Sequence, residues 1–178
     1  AAISVEDTLH LKAGEKILIQ GGAGGVASFA IQLAKHIGAY VITTTSAGNV
    51  DYVKGLGADE VIDYNAQDFR EVVSDCDAVF DTVGGDVAKG AFDILKKGGR
   101  AAFIASGANG VESPSSDFTS LRPNVYRDRP HLKRVVELIE AGAITVPAVK
   151  LFSLDETIEA QKLSQSRHFR GKLVFNFR

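Results

Sequence analysis

The 178-residue sequence predicts an α/β protein built on a doubly wound parallel sheet, as one domain over residues 1–178. Short runs rich in Val, Ile and Phe alternate along the chain with longer stretches of helical periodicity. The short runs show little apolar–polar alternation, as expected of strands covered on both faces in a parallel sheet. Strand–helix–strand order, repeated, requires right-handed crossovers that place helices on both faces of the sheet.

Five strands and three helices form the first part of this pattern. The strands are expected at residues 16–20, 40–45, 60–63, 78–81 and 100–104. The first helix has one apolar face, made by Val26, Phe29, Ala30, Leu33, Ala34 and Ile37. Gly38 supplies its C-terminal stop, and shorter helices are expected at 50–56 and 86–95.

The pattern changes after residue 104. Residues 106–120 are rich in Ser, Gly and Pro and predict a long loop, either a lid near the ligand crevice or a surface excursion. Residues 131–142 predict a helix that turns Leu132, Val135, Val136, Leu138 and Ile139 toward the core. Residues 153–165 predict another, with a capping box from Ser153 to Glu156. The chain closes in a strand whose Leu173, Phe175 and Phe177 share one face.

Composition narrows the function classes. The net charge of -2 gives no bulk attraction to nucleic acid or to an acidic membrane, so neither is an expected partner. A single cysteine excludes an internal disulfide, and a polar N-terminal region with no long apolar run predicts a cytoplasmic protein. Methionine is absent even at the first position, which suggests a piece of a longer chain.

A glycine-rich turn carries the strongest chemical signal. Gly22, Gly24 and Ala27 form a GxGxxA pattern between a predicted strand and a predicted helix. The first glycine is expected to permit the tight turn, and the second to let the backbone approach a pyrophosphate. The third small residue lets the helix pack on the strand, while the helix N-terminus attracts phosphate. The pattern favours dinucleotide binding; the alternative is a glycine turn needed only for close packing.

The residues after the second strand bear on which dinucleotide is bound. NAD-binding sites usually place Asp or Glu there for the ribose hydroxyls, but this sequence has no acid before Asp51. Thr45, Ser46 and Asn49 can donate hydrogen bonds to a phosphate, although no Arg or Lys lies in the turn itself. NADP is therefore favoured over NAD.

Other chemistries find little support in the sequence. It contains no Walker phosphate loop and no GxSxG nucleophile turn. The histidines at 10, 36, 131 and 168 lack ligand spacing, and no metal site is expected. Acidic neighbours of Cys76 oppose a thiolate, and Asp77 and Asp81 are expected to bind loop amides at the ends of a strand. The catalytic residues stay unknown.

Five segments taken together resemble a known group of enzymes. The segments are GEKILIQGGAGGVASFAIQLAKHIGAYVITTTS, LGADEVIDY, FDTVGGD, LKKGGR and RGKLVFNF. They resemble the cofactor-binding half of medium-chain dehydrogenase/reductases, in particular the zinc-independent quinone oxidoreductases that include zeta-crystallin. The resemblance covers nearly the whole chain and implies a Rossmann-type domain without the family's N-terminal catalytic domain. The strand at 171–178 would normally pack on that domain.

The resemblance also implies a set of cofactor-binding residues. Those at the pyrophosphate and its turn are Gly22, Ala23, Gly24, Gly25 and Val26; those at the adenosine phosphate are Thr45, Ser46 and Tyr64; those at the ends of the next two strands are Thr82, Val83, Ala105 and Ser106. Lys172 is a further candidate, with a solvated strand-end lysine as its alternative. Two departures stand out: Ala27 replaces a common glycine, and no basic residue lies near Ser46.

The expected function is the NADP(H)-binding domain of an oxidoreductase that transfers hydride from NADPH to a quinone or conjugated carbonyl compound. The resemblance also implies a homodimer. Two alternatives stay open: a non-catalytic nucleotide-binding sensor or scaffold, and the cofactor domain of a zinc-dependent alcohol dehydrogenase. A short-chain dehydrogenase is excluded because no tyrosine is followed four residues later by lysine.

Overall fold

A computed structural model describes residues 1–107, 110–147, 149–166 and 169–177. Its main sheet has six strands, all parallel, in the order β3-β2-β1-β4-β5-β6. The strands are β1 (Lys16–Ile19), β2 (Tyr40–Thr45), β3 (Glu60–Asp63), β4 (Cys76–Asp81), β5 (Leu95–Phe103) and β6 (Thr119–Leu121). The predicted doubly wound fold is confirmed, and its strand order reverses direction between β1 and β4.

The helices are α1 (Ala27–Ile37), α2 (Val50–Gly55), α3 (Phe69–Val72), α4 (Gly85–Lys89), α5 (Arg129–Glu140) and α6 (Thr157–Ser166). Helices α1 to α4 lie in the connections between successive strands of this sheet, and α5 and α6 follow its last strand. A π-helical segment at Ile3–Thr8 precedes β1. Along β1, Ile17 and Ile19 join one apolar cluster and Leu18 joins a second, so the strand is buried on both faces as expected. Among the described residues, none of the helices is both long and apolar enough to cross a bilayer.

The predicted helix at 86–95 is shorter than expected. α4 stops at Lys89, a 3₁₀ turn follows at Gly90–Ile94, and Leu95 already begins β5. A Cβ at Gly90 would lie 2.8 Å from Cδ of Arg70 and 3.1 Å from Cζ of Phe69, so this turn packs closely against α3. Tertiary packing thus ends a helix that local periodicity would have continued.

The C-terminal strand does not extend the main sheet. β8 (Lys172–Phe175) pairs in parallel with β7 (Val149–Phe152), which the sequence analysis missed, in a separate two-stranded sheet. The rings of Phe152 and Phe175 lie 6.3 Å apart between centroids. Phe177 lies beyond the strand and is 78% exposed. Ser153 and Glu156 form the predicted capping box at the start of the following helical segment.

The prediction for α5 was wrong in part. Leu138 is buried, but Leu132, Val136 and Ile139 are 66%, 44% and 37% exposed. Helical periodicity reveals an apolar face but not what covers it, and most of this face is open. The predicted loop at 106–120 also ends in a short strand, since β6 begins at Thr119; Ala108 and Asn109 lie outside the described residues.

Candidate functional site

A cleft of about 360 Å³ opens at the carboxyl ends of β1, β2 and β4. Ligands of doubly wound sheets bind at this place, where the strand order reverses. Its lining residues are Gly21, Ala23, Gly24, Thr45, Ser46, Asn49, Tyr64, Thr82, Val83 and Phe169. Seven of the residues expected from the sequence are thus brought together here. Gly22, Gly25, Val26, Ala105, Ser106 and Lys172 lie outside this lining.

The glycines of the turn after β1 are required for two reasons: one has a left-handed backbone conformation, and another lies too close to a neighbouring side chain to carry a Cβ. The left-handed conformation falls at Gly21, with φ +74°, and not at Gly22, to which the sequence analysis assigned the tight turn. Gly22 is small for another reason, because a Cβ there would lie only 2.3 Å from Oγ1 of buried Thr43. The Gly22 N–H donates to the Thr44 carbonyl at 2.8 Å and so ties the turn to the end of β2.

The start of α1 offers backbone donors to the cleft. The Gly24 N–H bonds to the Gly21 carbonyl, whereas the N–H groups of Ala23, Gly25 and Val26 bond to no described residue. Such N–H groups at a helix N-terminus, together with the helix dipole, favour an anion. Ala27 is fully buried as the helix begins, consistent with the small residue expected there.

Lys172 lies over this turn, although it comes from the far end of the chain. A Cβ at Gly25 would lie 2.6 Å from the Lys172 Nζ atom, so glycine is what allows the ammonium group to approach the backbone. Lys172 also contributes to lowering the pKa of the Ala1 amino group, after the larger effect of burial. The turn therefore carries a side-chain cation as well as backbone donors.

The end of β2 carries hydroxyl and amide groups and no carboxylate between Thr45 and Asn49. The Asn49 Nδ2 group donates to the Ser46 hydroxyl at 3.1 Å. Tyr64, 54% exposed, follows β3 beside them, and its N–H donates to the Thr45 carbonyl at 3.1 Å. The residues expected at the adenosine end thus share one rim of the cleft.

Arg170 is the basic residue that the sequence analysis did not find. Its Nε donates to the Asn49 Oδ1 atom at 2.5 Å, and its Nη2 donates to the Gly48 carbonyl. Its guanidinium carbon lies 5.4 Å from the ring centroid of Tyr52. Arg170 stands two residues before Lys172 in the sequence RGK, and that motif is the signal from which this arginine could be predicted.

The turn after β4 closes the cleft on its other side. The buried Asp81 carboxylate accepts hydrogen bonds from the N–H groups of Val83 and Gly84 at 3.1 and 3.0 Å. Burial raises the pKa of Asp81, and these two hydrogen bonds oppose that rise. The Thr82 hydroxyl donates to the Gln20 carbonyl at 2.8 Å. Asp81 binds loop amides, as expected, and holds Thr82 and Val83 at the cleft.

Asp77, the other carboxylate of β4, is also engaged. It accepts from the Lys16 N–H at 2.9 Å and pairs with Lys96 at the opposite end of the strand from the cleft. The ordinary structural role expected for this residue is therefore confirmed.

Ala105 and Ser106 follow β5 next to this turn. A Cβ at Gly84 would lie 2.6 Å from the Ala105 carbonyl oxygen, so the two segments touch. The Ser106 Oγ atom is buried and has no hydrogen-bond partner among the residues described. A buried hydroxyl without a partner is unfavourable unless a ligand or water satisfies it.

Groups with catalytic or metal-binding chemistry are sparse around the cleft. The described part of the chain contains no group of three or more His, Cys, Asp or Glu side chains placed to hold a metal ion. Burial raises the pKa of the Cys76 thiol to about 11, which opposes a nucleophilic role. His131 is held between Asp128, 2.6 Å from Nδ1, and Asp7, 3.3 Å from Nε2, and lies outside the cleft. His168 lies outside the described residues.

The site fits the diphosphate of a dinucleotide. Unbonded backbone N–H groups and a lysine meet at one turn, and glycine leaves room for close approach. With the strand order of the sheet, these features define the class of protein: a dinucleotide-binding α/β domain.

Comparison with known proteins identifies the family. Residues 56–175 match the family model described as zinc-binding dehydrogenase. The chain therefore belongs to the zinc-binding dehydrogenase family, within the medium-chain dehydrogenase/reductases. This confirms the resemblance found in the sequence.

Three relatives illustrate the range of this family. The chain is 32% identical over 169 residues to an NADPH-dependent alkenal/one oxidoreductase of Arabidopsis thaliana, covering 93% of the chain and 41% of that protein. It matches the structure of the quinone oxidoreductase from Coxiella burnetii at 31% identity and TM-score 0.86, covering 99% of the chain and 57% of that structure. It also matches an NAD-dependent alcohol dehydrogenase at 26% identity and TM-score 0.86, covering 99% and 55%. The chain thus spans about half the length of these relatives.

Proposed function

We propose that this chain is the NADP(H)-binding domain of a reductase that acts on a quinone or a conjugated carbonyl compound. The observation that carries the proposal is the cleft, where unbonded N–H groups at a glycine turn face a β2 end without a carboxylate. Relatives that act on alkenals and quinones support the substrate class. The NAD-dependent alcohol dehydrogenase has the same fold, so the fold does not determine whether NADP or NAD binds. The residues at the ribose end of the cleft must determine this preference.

The roles of the chain's own residues follow from their positions. The N–H groups of Ala23, Gly25 and Val26 and the ammonium of Lys172 bind the pyrophosphate. Thr82 and Val83, fixed by Asp81, line the cleft at the end of β4, and Ala105 and Ser106 adjoin them. The bound NADPH supplies the hydride. Among the described residues near the cleft we identify no general acid, so the residues named here bind and orient the cofactor.

We therefore expect the 178-residue chain to bind the nucleotide and to turn over poorly. Substrate-pocket residues would come from the part of the relatives that the chain does not span. NADPH-dependent quinone reduction by this chain at ordinary enzyme rates would contradict the expectation.

The decisive experiment is a titration of the chain with NADPH and with NADH, followed by nicotinamide fluorescence. Gly24→Ala narrows the turn, because its Cβ would lie 3.1 Å from the Gly21 carbonyl, and should weaken both ligands. Gly55→Ala is the matched control, since no atom lies within 4 Å of a Cβ there. Absence of binding to both nucleotides refutes the proposal, and tighter binding of NADH refutes its cofactor preference.

The proposal also includes the assembly of the whole protein. We place residues 1–178 in one dinucleotide-binding domain, with 171–178 packing on a catalytic domain of the same protein. β6 is an edge strand of the main sheet, and we propose a homodimer formed through this edge. Light scattering of the wild-type chain and of Ser120→Pro tests the dimer, because the proposal requires a dimer that this substitution disrupts. A cytoplasmic location stays a prediction.

A further inference from the structure

We propose that Arg170, anchored by Asn49, is the residue that makes this cleft prefer a dinucleotide carrying a 2′-phosphate. The inference rests on the proposed function, because it concerns the ribose end of the same site. It assigns a cofactor-selecting role to a side chain far in sequence from the glycine turn and from β2.

The position of Arg170 suits this role. The ribose of a dinucleotide bound to this fold lies at the end of β2, where an acid selects NAD when one is present. Here Ser46 and Asn49 line the cleft at that end, and Arg170 bonds to Asn49 at 2.5 Å. The preceding residue, Phe169, itself lines the cleft. The segment thus brings a cation to the place from which a carboxylate is missing.

Arg170 also retains hydrogen-bonding capacity. A guanidinium group has five N–H donors, and the structure assigns two of them, from Nε and Nη2, to Asn49 and Gly48. Nη1 has no partner in the described part of the chain. The side chain is exposed, so its remaining donors are open to a ligand. Guanidinium groups bind phosphate in a bidentate manner, which a lysine cannot reproduce.

The existing contacts hold the guanidinium in place before a ligand arrives. It is bonded to two groups of the turn at 48–49 and lies over the Tyr52 ring. An arginine that is already ordered loses less conformational freedom on binding phosphate. The same contacts allow a second explanation, in which Arg170 has only a structural role and holds residues 169–172 against the turn after β2.

Lys172 separates these two explanations. It lies over the glycine turn at Gly25, where the pyrophosphate common to NADPH and NADH would bind. Lys172→Gln should therefore weaken both nucleotides by similar factors. Arg170→Gln should weaken only ligands that carry the 2′-phosphate. If Arg170 had only a structural role, its loss would weaken the binding of NADPH and NADH by similar factors.

The test measures dissociation constants of NADPH, NADH, 2′,5′-ADP and 5′-AMP for the wild-type chain and both variants by calorimetry. Arg170→Gln should weaken NADPH and 2′,5′-ADP by about 10- to 100-fold, as for loss of hydrogen bonds to a charged group, and leave NADH and 5′-AMP within about 2-fold. Arg170→Lys should recover only part of the affinity for 2′,5′-ADP. Arg129→Gln, the same change outside the cleft, should alter none of these constants.

Each outcome bears on one claim. Equal weakening of NADPH and NADH by Arg170→Gln, or an unchanged preference, overturns the assignment while the proposed function stands. Wild-type chain that binds neither nucleotide overturns the proposed function and the assignment with it. Circular dichroism checks that the variants fold; if Arg170→Gln does not, Arg170→Lys decides, because full retention of 2′,5′-ADP affinity would refute bidentate recognition.

Discussion

Gly22→Ala is expected to destabilise the fold through one contact with the second strand. The new Cβ would lie 2.3 Å from the Thr43 Oγ1 atom and 3.2 Å from the Ile31 Cδ1 atom. Thr43 and Ile31 are both fully buried, and the Thr43 hydroxyl is held by a 2.6 Å hydrogen bond to the Ile19 carbonyl. Because both neighbours are fully buried, the substitution should cost about 1–3 kcal/mol of unfolding free energy, as overpacking does.

A double-mutant cycle tests this reasoning. Thr43→Ala alone loses the hydrogen bond to Ile19 and should cost about 1–2 kcal/mol. It also removes the closest clashing atom, so Gly22→Ala combined with Thr43→Ala should cost less than the sum of the two changes by more than about 0.5 kcal/mol.

Urea unfolding followed by far-ultraviolet circular dichroism is suitable, since the chain has no Trp. Gly55→Ala is the control and should change the unfolding free energy by less than about 0.5 kcal/mol, because Gly55 is the exposed last residue of α2 and its Cβ would meet nothing outside its own helix. Additive free energies in the cycle, or wild-type stability for Gly22→Ala, would refute the steric argument.

Three further predictions concern groups outside the turn. Arg100→Met breaks the 2.6 Å ion pair between Arg100 and Glu15, whose side chains are only 19% and 20% exposed. It should lower the free energy of unfolding in urea by about 1.5–3 kcal/mol. A decrease below about 0.5 kcal/mol would mean that solvent screens the pair. Burial raises the folded-state pKa of Asp81, so its contribution favours folding at low pH and is lost as pH rises through that pKa. Asp81→Asn should therefore reduce the fall in stability from about pH 4 to about pH 7, and an unchanged pH profile would contradict it. Cys76 is buried with a pKa of about 11 and should react with a disulfide reagent only after unfolding; rapid reaction of the native chain would show that the thiol is accessible.

The main sheet was predictable because its signals are local. Strands 40–45 and 60–63 were predicted with the bounds that β2 and β3 have, and both are short runs that contain adjacent β-branched residues. Parallel strands buried on two faces are recognisable without knowing their partners. β6, β7 and α3 are three or four residues long and were missed; β1 and β3 are as short, but they were predicted from their Val and Ile content and their place in the strand–helix alternation.

The errors on α5 and on the C-terminal strand have a common cause. Leu132, Val136 and Ile139 recur at i, i+4 and i+7 on one face of α5, yet all three are exposed, and the buried Leu138 lies off that face. β8 shows strand-forming composition, but its partner β7 lies about twenty residues earlier and belongs to a second sheet. A sequence pattern shows that one face of an element is apolar. Which residues pack against that face depends on contacts between distant segments, which the pattern does not show.

The two ends of the candidate site differ in the same way. The proposed pyrophosphate end consists mainly of residues 21–27, so one short motif is enough to predict it, and Lys172 approaches the same turn from a distant segment. The proposed ribose end joins Ser46 and Asn49 to Arg170, 121 residues beyond Asn49. The glycine motif can therefore stay the same while the side chain proposed to select the cofactor comes from a distant segment of the chain. We expect cofactor preference to follow residue 170 more closely than the glycine turn, which binds what both nucleotides share.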